Sequence, residues 1–131
     1  MKGVYILRIF LDRDKRIRIG SLDTIDFKKG LYAYVGSAMG GLEQRIGRHL
    51  RKNKKMHWHI DYLLGKAEII KVLVRETNSK SEECTAAAEL KKSGGAPVYG
   101  FGCSDCKCKS HLFYFKSLSM MKIDNYRLLK L

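Results

Sequence analysis

The sequence predicts an α+β domain: a small, mainly antiparallel central sheet flanked by helices, with a hairpin inserted between its first strand and the next long one. Three observations lead there. Gly3 to Leu11 is a nearly continuous apolar run with β-branched and aromatic members, the pattern of a buried strand. Leu31-Tyr32-Ala33-Tyr34-Val35-Gly36 alternates, putting Leu31, Ala33 and Val35 on one face and Tyr32 and Tyr34 on the other. After Gly40-Gly41 the period changes: Leu42, Ile46 and Leu50 recur every four residues, which reads as a helix. With 131 residues, one proline and no repeat or Gly/Ser-rich linker, the chain has material for one core. A single domain is expected over residues 1–118, including a Cys-rich segment at 101–111, with 119–131 as a tail.

Between the two long strands, Asp12-Arg13-Asp14-Lys15 is a polar turn, and Arg16-Ile17-Arg18-Ile19 alternates as a half-exposed strand should. Three strands joined by short connections suggest one antiparallel sheet. The first helix is expected from about Leu42 to Lys52, with Leu42, Ile46 and Leu50 as its buried stripe. Arg45 and His49 share an adjacent face at the edge between core and solvent. His57 to Leu64 reads as a second helix ending at Gly65, and Ala67 to Val74 as another strand. Ser79 with Glu82 makes a capping-box pattern, so a third helix is expected from about Lys80 to Lys92, stopped by Gly94-Gly95. His111 to Phe115 is a late strand; the residues after Leu118 carry no pattern.

Charge narrows the function classes. There are 26 Lys plus Arg against 13 Asp plus Glu, a formal charge of +13, and a surplus of this size signals a polyanionic partner. From Arg45 to Lys55 the chain carries six basic residues (Arg45, Arg48, Arg51, Lys52, Lys54, Lys55) and no acid. A solvated helix face is the plain explanation of such a run, and nucleic acid the functional one. An anionic membrane surface fits poorly, because no Trp/Phe/Leu face accompanies the charge. No apolar run is long enough to cross a bilayer, and no secretory signal is expected, which points to the cytosol. There thiols are usually reduced, and clustered cysteines suggest metal or redox chemistry. Cys103, Cys106, Cys108 and His111 offer four zinc ligands at a compressed spacing. Cys84 is an alternative ligand, or a disulfide partner for the cluster. Lys107 and Lys109 would add phosphate contacts in either case.

The ordered set Gly3-Val4-Tyr5, Tyr34-Val35-Gly36, Arg45 nine residues after that glycine, His49 and a downstream helical Glu resembles the GIY-YIG nuclease domain. Residues 34–49 are similar to the homing-endonuclease version. The chain as a whole looks like a small stand-alone archaeal subgroup of the Uri type, with a longer hairpin and a Cys-rich end. Tyr5 and Tyr34 are 29 residues apart, more than the family's usual turn, which fits an inserted hairpin holding Ile17, Ile19 and Phe27.

The resemblance implies a metal-dependent endonuclease that hydrolyses DNA phosphodiesters to a 5′-phosphate and a 3′-hydroxyl. It assigns Tyr5, with Tyr34 beside it, to water activation, and Arg45 to the scissile phosphate. It gives His49 a proton-holding role and Glu83 the metal. Glu82 is adjacent, but the run Glu-Cys-Thr-Ala-Ala-Ala-Glu-Leu favours Glu83. His57 matches a further active-site histidine of homing-endonuclease relatives.

Chemistry supports the residue types. Phosphodiester hydrolysis needs a proton acceptor for water, positive charge on the transition state and help for the leaving oxygen. A phenol of pKa about 10 suits the first task only if cations or metal lower it. One carboxylate argues for one Mg²⁺ or Mn²⁺ completed by water and phosphate oxygens. Each residue also has a plain role: aromatics packed on a sheet, a solvated arginine, a core histidine, a first-turn carboxylate favoured by the helix dipole. Trp58 is a base-stacking candidate whose plain role is core packing.

Arg45, Arg48, Arg51, Lys52, Lys54 and Lys55 would grip the DNA backbone. Six neutralised phosphates would weaken binding about a thousandfold between 50 and 200 mM salt. The chain has no room for a separate recognition domain, so structure-specific or weakly specific cutting of branched or damaged DNA is expected, with specificity otherwise supplied by a protein partner. The rivals are a catalytically silent nucleic-acid-binding module of the same fold and a Cys-rich metal-dependent interaction protein.

Overall fold

Strand β1 (Gly3–Leu11) lies at the centre of a six-stranded sheet, between β4 (Gly30–Ala38) and β5 (Glu68–Glu76). The computed structural model describes residues 1–102, 108, 110–117, 120, 121 and 123–129. Beyond β4 lie β7 (Leu112–Phe115) and β6 (Ala96–Pro97), and beyond β5 lies β8 (Arg127–Leu129). Every neighbouring pair is antiparallel. Neither β6 nor β8 is legible in the sequence, because two- and three-residue strands are too short to show a period.

The inserted segment forms its own ribbon. β2 (Lys15–Ile19) pairs only with β3 (Asp23–Phe27), and β1 pairs directly with β4. This corrects the expectation of one continuous sheet through residues 3–36. The alternation explains it: Ile17, Ile19 and Phe27 turn inward while Arg16, Arg18, Thr24 and Asp26 face solvent, so the ribbon buries one face, β2 against the helix over 59–64 and Phe27 against the Tyr32 and Phe101 rings. The main sheet keeps an unbroken β1–β4 register from Gly3↔Ala38 to Leu11↔Gly30.

Two apolar clusters cover the sheet's faces. On one, Tyr5, Leu7, Ile9, Tyr32 and Tyr34 meet α1 (Leu42–Leu50), α2 (His59–Leu64) and the ribbon. On the other, Val4, Ile6, Ala33 and Val35 meet Ala86, Ala87 and Leu90 of α3 (Glu82–Lys92). The alternation expected for Leu31–Val35 is observed. No helix among the described residues is long and apolar enough to cross a membrane.

The helix ends differ from the expected ones for local reasons. Helix α1 starts where Gly41, at φ 142°, takes a conformation that favours glycine. It stops at Leu50 because the Lys54 Nζ donates to the carbonyls of Arg48 and His49, at 3.1 and 2.8 Å. Its buried stripe is Leu42, Ile46 and His49, and Leu50 is exposed. A 3.6-residue period brings position 49 inward and carries position 50 past the edge. Helix α2 begins two residues late because Asp61 Oδ2 accepts the backbone N–H groups of His57 and Trp58, both at 2.9 Å. The Ser79–Glu82 capping box does not form: Ser79 Oγ bonds Ser81 Oγ at 2.6 Å, and the helix starts at Glu82.

Two glycines should respond in opposite directions to alanine. A Cβ at Gly36 would run into the Tyr5 ring, whereas one at Gly47, mid-helix and exposed, meets nothing within 4 Å. Urea unfolding of Gly36→Ala should reveal a loss of about 1–3 kcal/mol, and Gly47→Ala a gain of roughly 0.5–1 kcal/mol.

Candidate active site

The β1–β4 register sets Tyr5 opposite Gly36 and Leu7 opposite Tyr34, so the two tyrosines are diagonal neighbours on one face. The Tyr5 ring lies against the backbone of Gly36, where no side chain stands in the way. Helix α1 packs over this face and brings His49 down onto the pair. The Tyr5 hydroxyl and His49 Nε2 share a 2.7 Å hydrogen bond, and the Tyr34 and His49 rings meet edge to face at 6.2 Å.

Burial pushes the Tyr5 phenol well above its ordinary value, against the downward pull of the Arg45 guanidinium. Tyr34 is raised in the same way, with the neighbouring Tyr5 and Glu83 adding to burial. Of the two sources of positive charge expected to lower Tyr5, Arg45 by itself is outweighed by desolvation of the phenolate. Burial likewise holds the His49 imidazole down at about 4, with Lys54, Arg45 and Arg48 adding and Asp61 opposing. At neutral pH the pair is a neutral phenol on a neutral imidazole.

Arg45 projects from α1 beside them. Its Nη1 donates to the Ser37 carbonyl at 3.2 Å, and its guanidinium sits 4.5 Å from the centre of the Trp58 ring. Arg48, one turn on, lies 4.3 Å from the same ring and grips both oxygens of Asp61, at 2.9 and 3.0 Å. Asp61 is fully buried. Burial alone would raise its carboxyl, but the Arg48 fork and the N–H groups of Trp58 and His57 hold it below the usual range. Trp58 is thus the shelf that fixes two arginines. Sequence reasoning missed Asp61; an acid four residues from a helix end, downstream of an arginine-rich helix, was the signal available.

Glu83 comes from the opposite layer. As Ser37 points to the α3 face of β4, its hydroxyl donates to Glu83 Oε2 at 2.9 Å, and His111 Nδ1 lies 3.1 Å from Oε1. The first turn of α3 thereby reaches the sheet edge where β7 stops short of Gly36. Tyr5, Tyr34, Arg45 and Glu83 then line one half-open cleft of about 470 Å³. His57, Trp58, His59 and Lys80 also line it, and His49 stands behind Tyr5. His57 is exposed, while His59 is half-buried, accepts the Gly102 N–H at Nδ1 (2.9 Å) and is held below its ordinary pKa by burial.

A model of the family described as "Domain of unknown function DUF123" matches residues 4–130. The chain belongs to this family. Neither the curated proteins nor the solved structures returned a match.

Within this DUF123 domain the basic run divides. Arg48 is committed to Asp61 and Lys54 to the α1 carbonyls, while Lys52 Nζ reaches the Ala67 carbonyl at 3.3 Å and Glu68 at 3.4 Å. Arg51 and Lys55 are exposed. Of the cysteine cluster, Cys103 and Cys106 lie outside the described residues, as do Lys107 and Lys109. Cys108 is joined to Cys84 in a disulfide with 6.2 Å between the Cα atoms, the second alternative expected for Cys84. His111 stands with this pair in a group able to hold a metal ion.

The cleft itself suits a hard cation of the Mg²⁺ class, which takes oxygen ligands and keeps several waters. Glu83 supplies a carboxylate in the wall, and the volume leaves space for waters and a phosphate. It is the one acid among the described residues lining the cleft, so the donor set fits one ion and not two.

Because His49 resists protonation in the folded state, the unfolded chain takes up its proton first. Stability should be flat above about pH 6.5 and fall as pH drops from there toward 4, by up to roughly 3 kcal/mol. The check is the ring C–H shift of His49 by NMR. A midpoint near 4 is expected, whereas one near 6.5 would mean that the imidazole is neither buried nor held by Tyr5.

Proposed function

We propose that this DUF123 domain is a metal-dependent endonuclease of the GIY-YIG type that hydrolyses DNA phosphodiester bonds. One observation carries the reading: Tyr5, Tyr34, Arg45 and Glu83, which resemble the family's motif residues in order along the sequence, line one cleft, with His49 bonded to Tyr5 behind it. The likeness to the small Uri-type subgroup rests on the long inserted ribbon and the Cys-rich end.

Residue by residue, the chemistry follows from the geometry. A phosphodiester in the cleft meets the Arg45 guanidinium, pre-set by Trp58 and the Ser37 carbonyl, so little reorganisation is needed as charge develops. The attacking water loses its proton to the Tyr5 oxygen while the Tyr5 proton passes to His49 Nε2 across the existing hydrogen bond. This relay never requires a free phenolate, which burial disfavours. The phosphate's negative charge opposes the burial that keeps His49 neutral, easing proton uptake when substrate is bound. The water oxygen bonds to phosphorus, the bond to the 3′ oxygen breaks, and that oxygen takes up a proton. A divalent ion on Glu83 would supply positive charge to the non-bridging and leaving oxygens. His57, exposed at the rim, is a further contact for the substrate.

DNA is the proposed partner, branched or damaged duplex above all, with no membrane role and with a protein partner as a source of specificity. The cations proposed to meet phosphates are Arg45 of the cleft wall and the exposed Arg51, Lys52 and Lys55; Arg48 acts indirectly by tying α1 to α2 through Asp61, and Lys54 by closing the end of α1.

The test offers duplex, nicked, flap, branched and single-stranded DNA with Mg²⁺ or Mn²⁺. Arg45→Ala should slow nicking by about 10²–10³-fold. Glu83→Ala should abolish nicking while DNA binding persists. Four phosphate contacts rather than six should weaken binding about a hundredfold between 50 and 200 mM salt. Binding without cutting on every substrate and metal would overturn the enzyme in favour of a silent nucleic-acid-binding module.

A further inference from the structure

On the flank of the cleft, Cys84 follows Glu83 in the first turn of α3, and Cys108 and His111 precede β7. One ligand atom from each of the three lies within 4.8 Å of the other two. We propose that Cys84, Cys108 and His111 are a redox-gated zinc site: oxidised, the two sulfurs are joined to each other, and reduced, they hold one Zn²⁺ together with the imidazole.

Three observations support this. The donor set of two sulfurs and one imidazole is soft, which selects zinc over the hard ions that suit Glu83. Zinc bonds of about 2.3 Å to sulfur and 2.0–2.1 Å to nitrogen set ligand atoms roughly 3.5 Å apart. Groups already gathered within 4.8 Å reach that spacing by side-chain adjustment. Second, the Glu83 carboxylate stands 3.1 Å from His111 Nδ1. A carboxylate on one imidazole nitrogen is the usual companion of a metal on the other, because it fixes the ring and raises its basicity. Third, both cysteines line an open depression of about 260 Å³ with Ala87, Lys91 and Phe113, so a small thiol or a hydrated ion can reach them.

The exchange balances. A dithiol supplies two electrons; the Cys84–Cys108 bond breaks, two thiols form, and the dithiol closes to its own disulfide. Zinc binding then releases the two thiol protons. Three protein ligands leave the fourth zinc position to water. Cys84, contributed by a helix 24 residues upstream of Cys108, replaces the compressed Cys103–Cys106–Cys108 pattern as the partner set. The site stands whether or not the chain cuts DNA.

The experiment uses the full chain, freed of metal, either air-oxidised or reduced with dithiothreitol and desalted under nitrogen. Zn²⁺ per chain is measured by elemental analysis after dialysis, and Co²⁺ binding by thiolate-to-cobalt charge-transfer absorption. The oxidised protein should bind neither ion and the reduced protein one per chain, released again on reoxidation. Cys84→Ser and Cys108→Ser should each remove binding, and His111→Asn should weaken it at least tenfold. The double variant Cys103→Ser/Cys106→Ser should keep it. Wild-type protein alone also decides the matter should a variant not fold: zinc should shield Cys84 and Cys108, read by mass spectrometry, from alkylation. Equal binding in the oxidised chain, no binding in the reduced chain, no shielding, or loss of binding in the double variant alone would overturn the proposal.

Discussion

The Tyr5 ring lies across the backbone of Gly36, and only the missing Cβ lets the two strands carry it there. From that contact the rest of the cleft can be built outward. It fixes the depth of the Tyr5 hydroxyl, which fixes where His49 must sit to meet it at 2.7 Å. The height of α1 above the sheet follows, and with it the place of Arg45. Leu42 and Ile46 pack the helix down, and the Met1 carbonyl accepts the Leu42 N–H at 2.8 Å. A side chain at position 36 would lift the ring and misplace every group stacked above it.

The second anchor is electrostatic. Asp61, fully buried, collects the Arg48 fork and two backbone N–H groups ahead of α2. A buried carboxylate is tolerable only when so satisfied. In satisfying it, α1 and α2 are tied together and Trp58 is held beneath both arginines. Part of the +13 surplus is therefore internal architecture. The charge that stays free of such internal bonds is smaller than a count along the sequence suggests, and of the run from 45 to 55 only Arg45 lines the cleft.

How much of this was legible can be judged from particular residues. The faces of β1 and β4 followed from alternation alone, because a strand's period is two and one face of each was strongly apolar. The inserted ribbon followed from the distance between Tyr5 and Tyr34. Its separation from the main sheet did not, since Arg16–Ile19 alternates identically whichever strand it pairs with. In α1 the apolar letters favoured Leu50 as the inward residue, yet His49 lies there, because Tyr5 gives the imidazole a partner and the 3.6-residue period carries position 50 past the edge of the buried face. Strand β8 left no trace in the sequence, and its place beside β5 rests on pairing with Val72–Val74.

What the sequence by itself determined was local: which residues share a face, where the period changes from strand to helix, and the order of the residues that resemble a nuclease motif. Tertiary structure alone decided which of those faces meet. It turned Arg48 and Lys54 inward, set Glu83 of one layer against Ser37 of another, and joined Cys84 to Cys108. The reason is physical. Periodicity describes one element's own geometry, whereas a hydrogen bond, an ion pair or a disulfide depends on the distance to a second element, and that distance is set by packing.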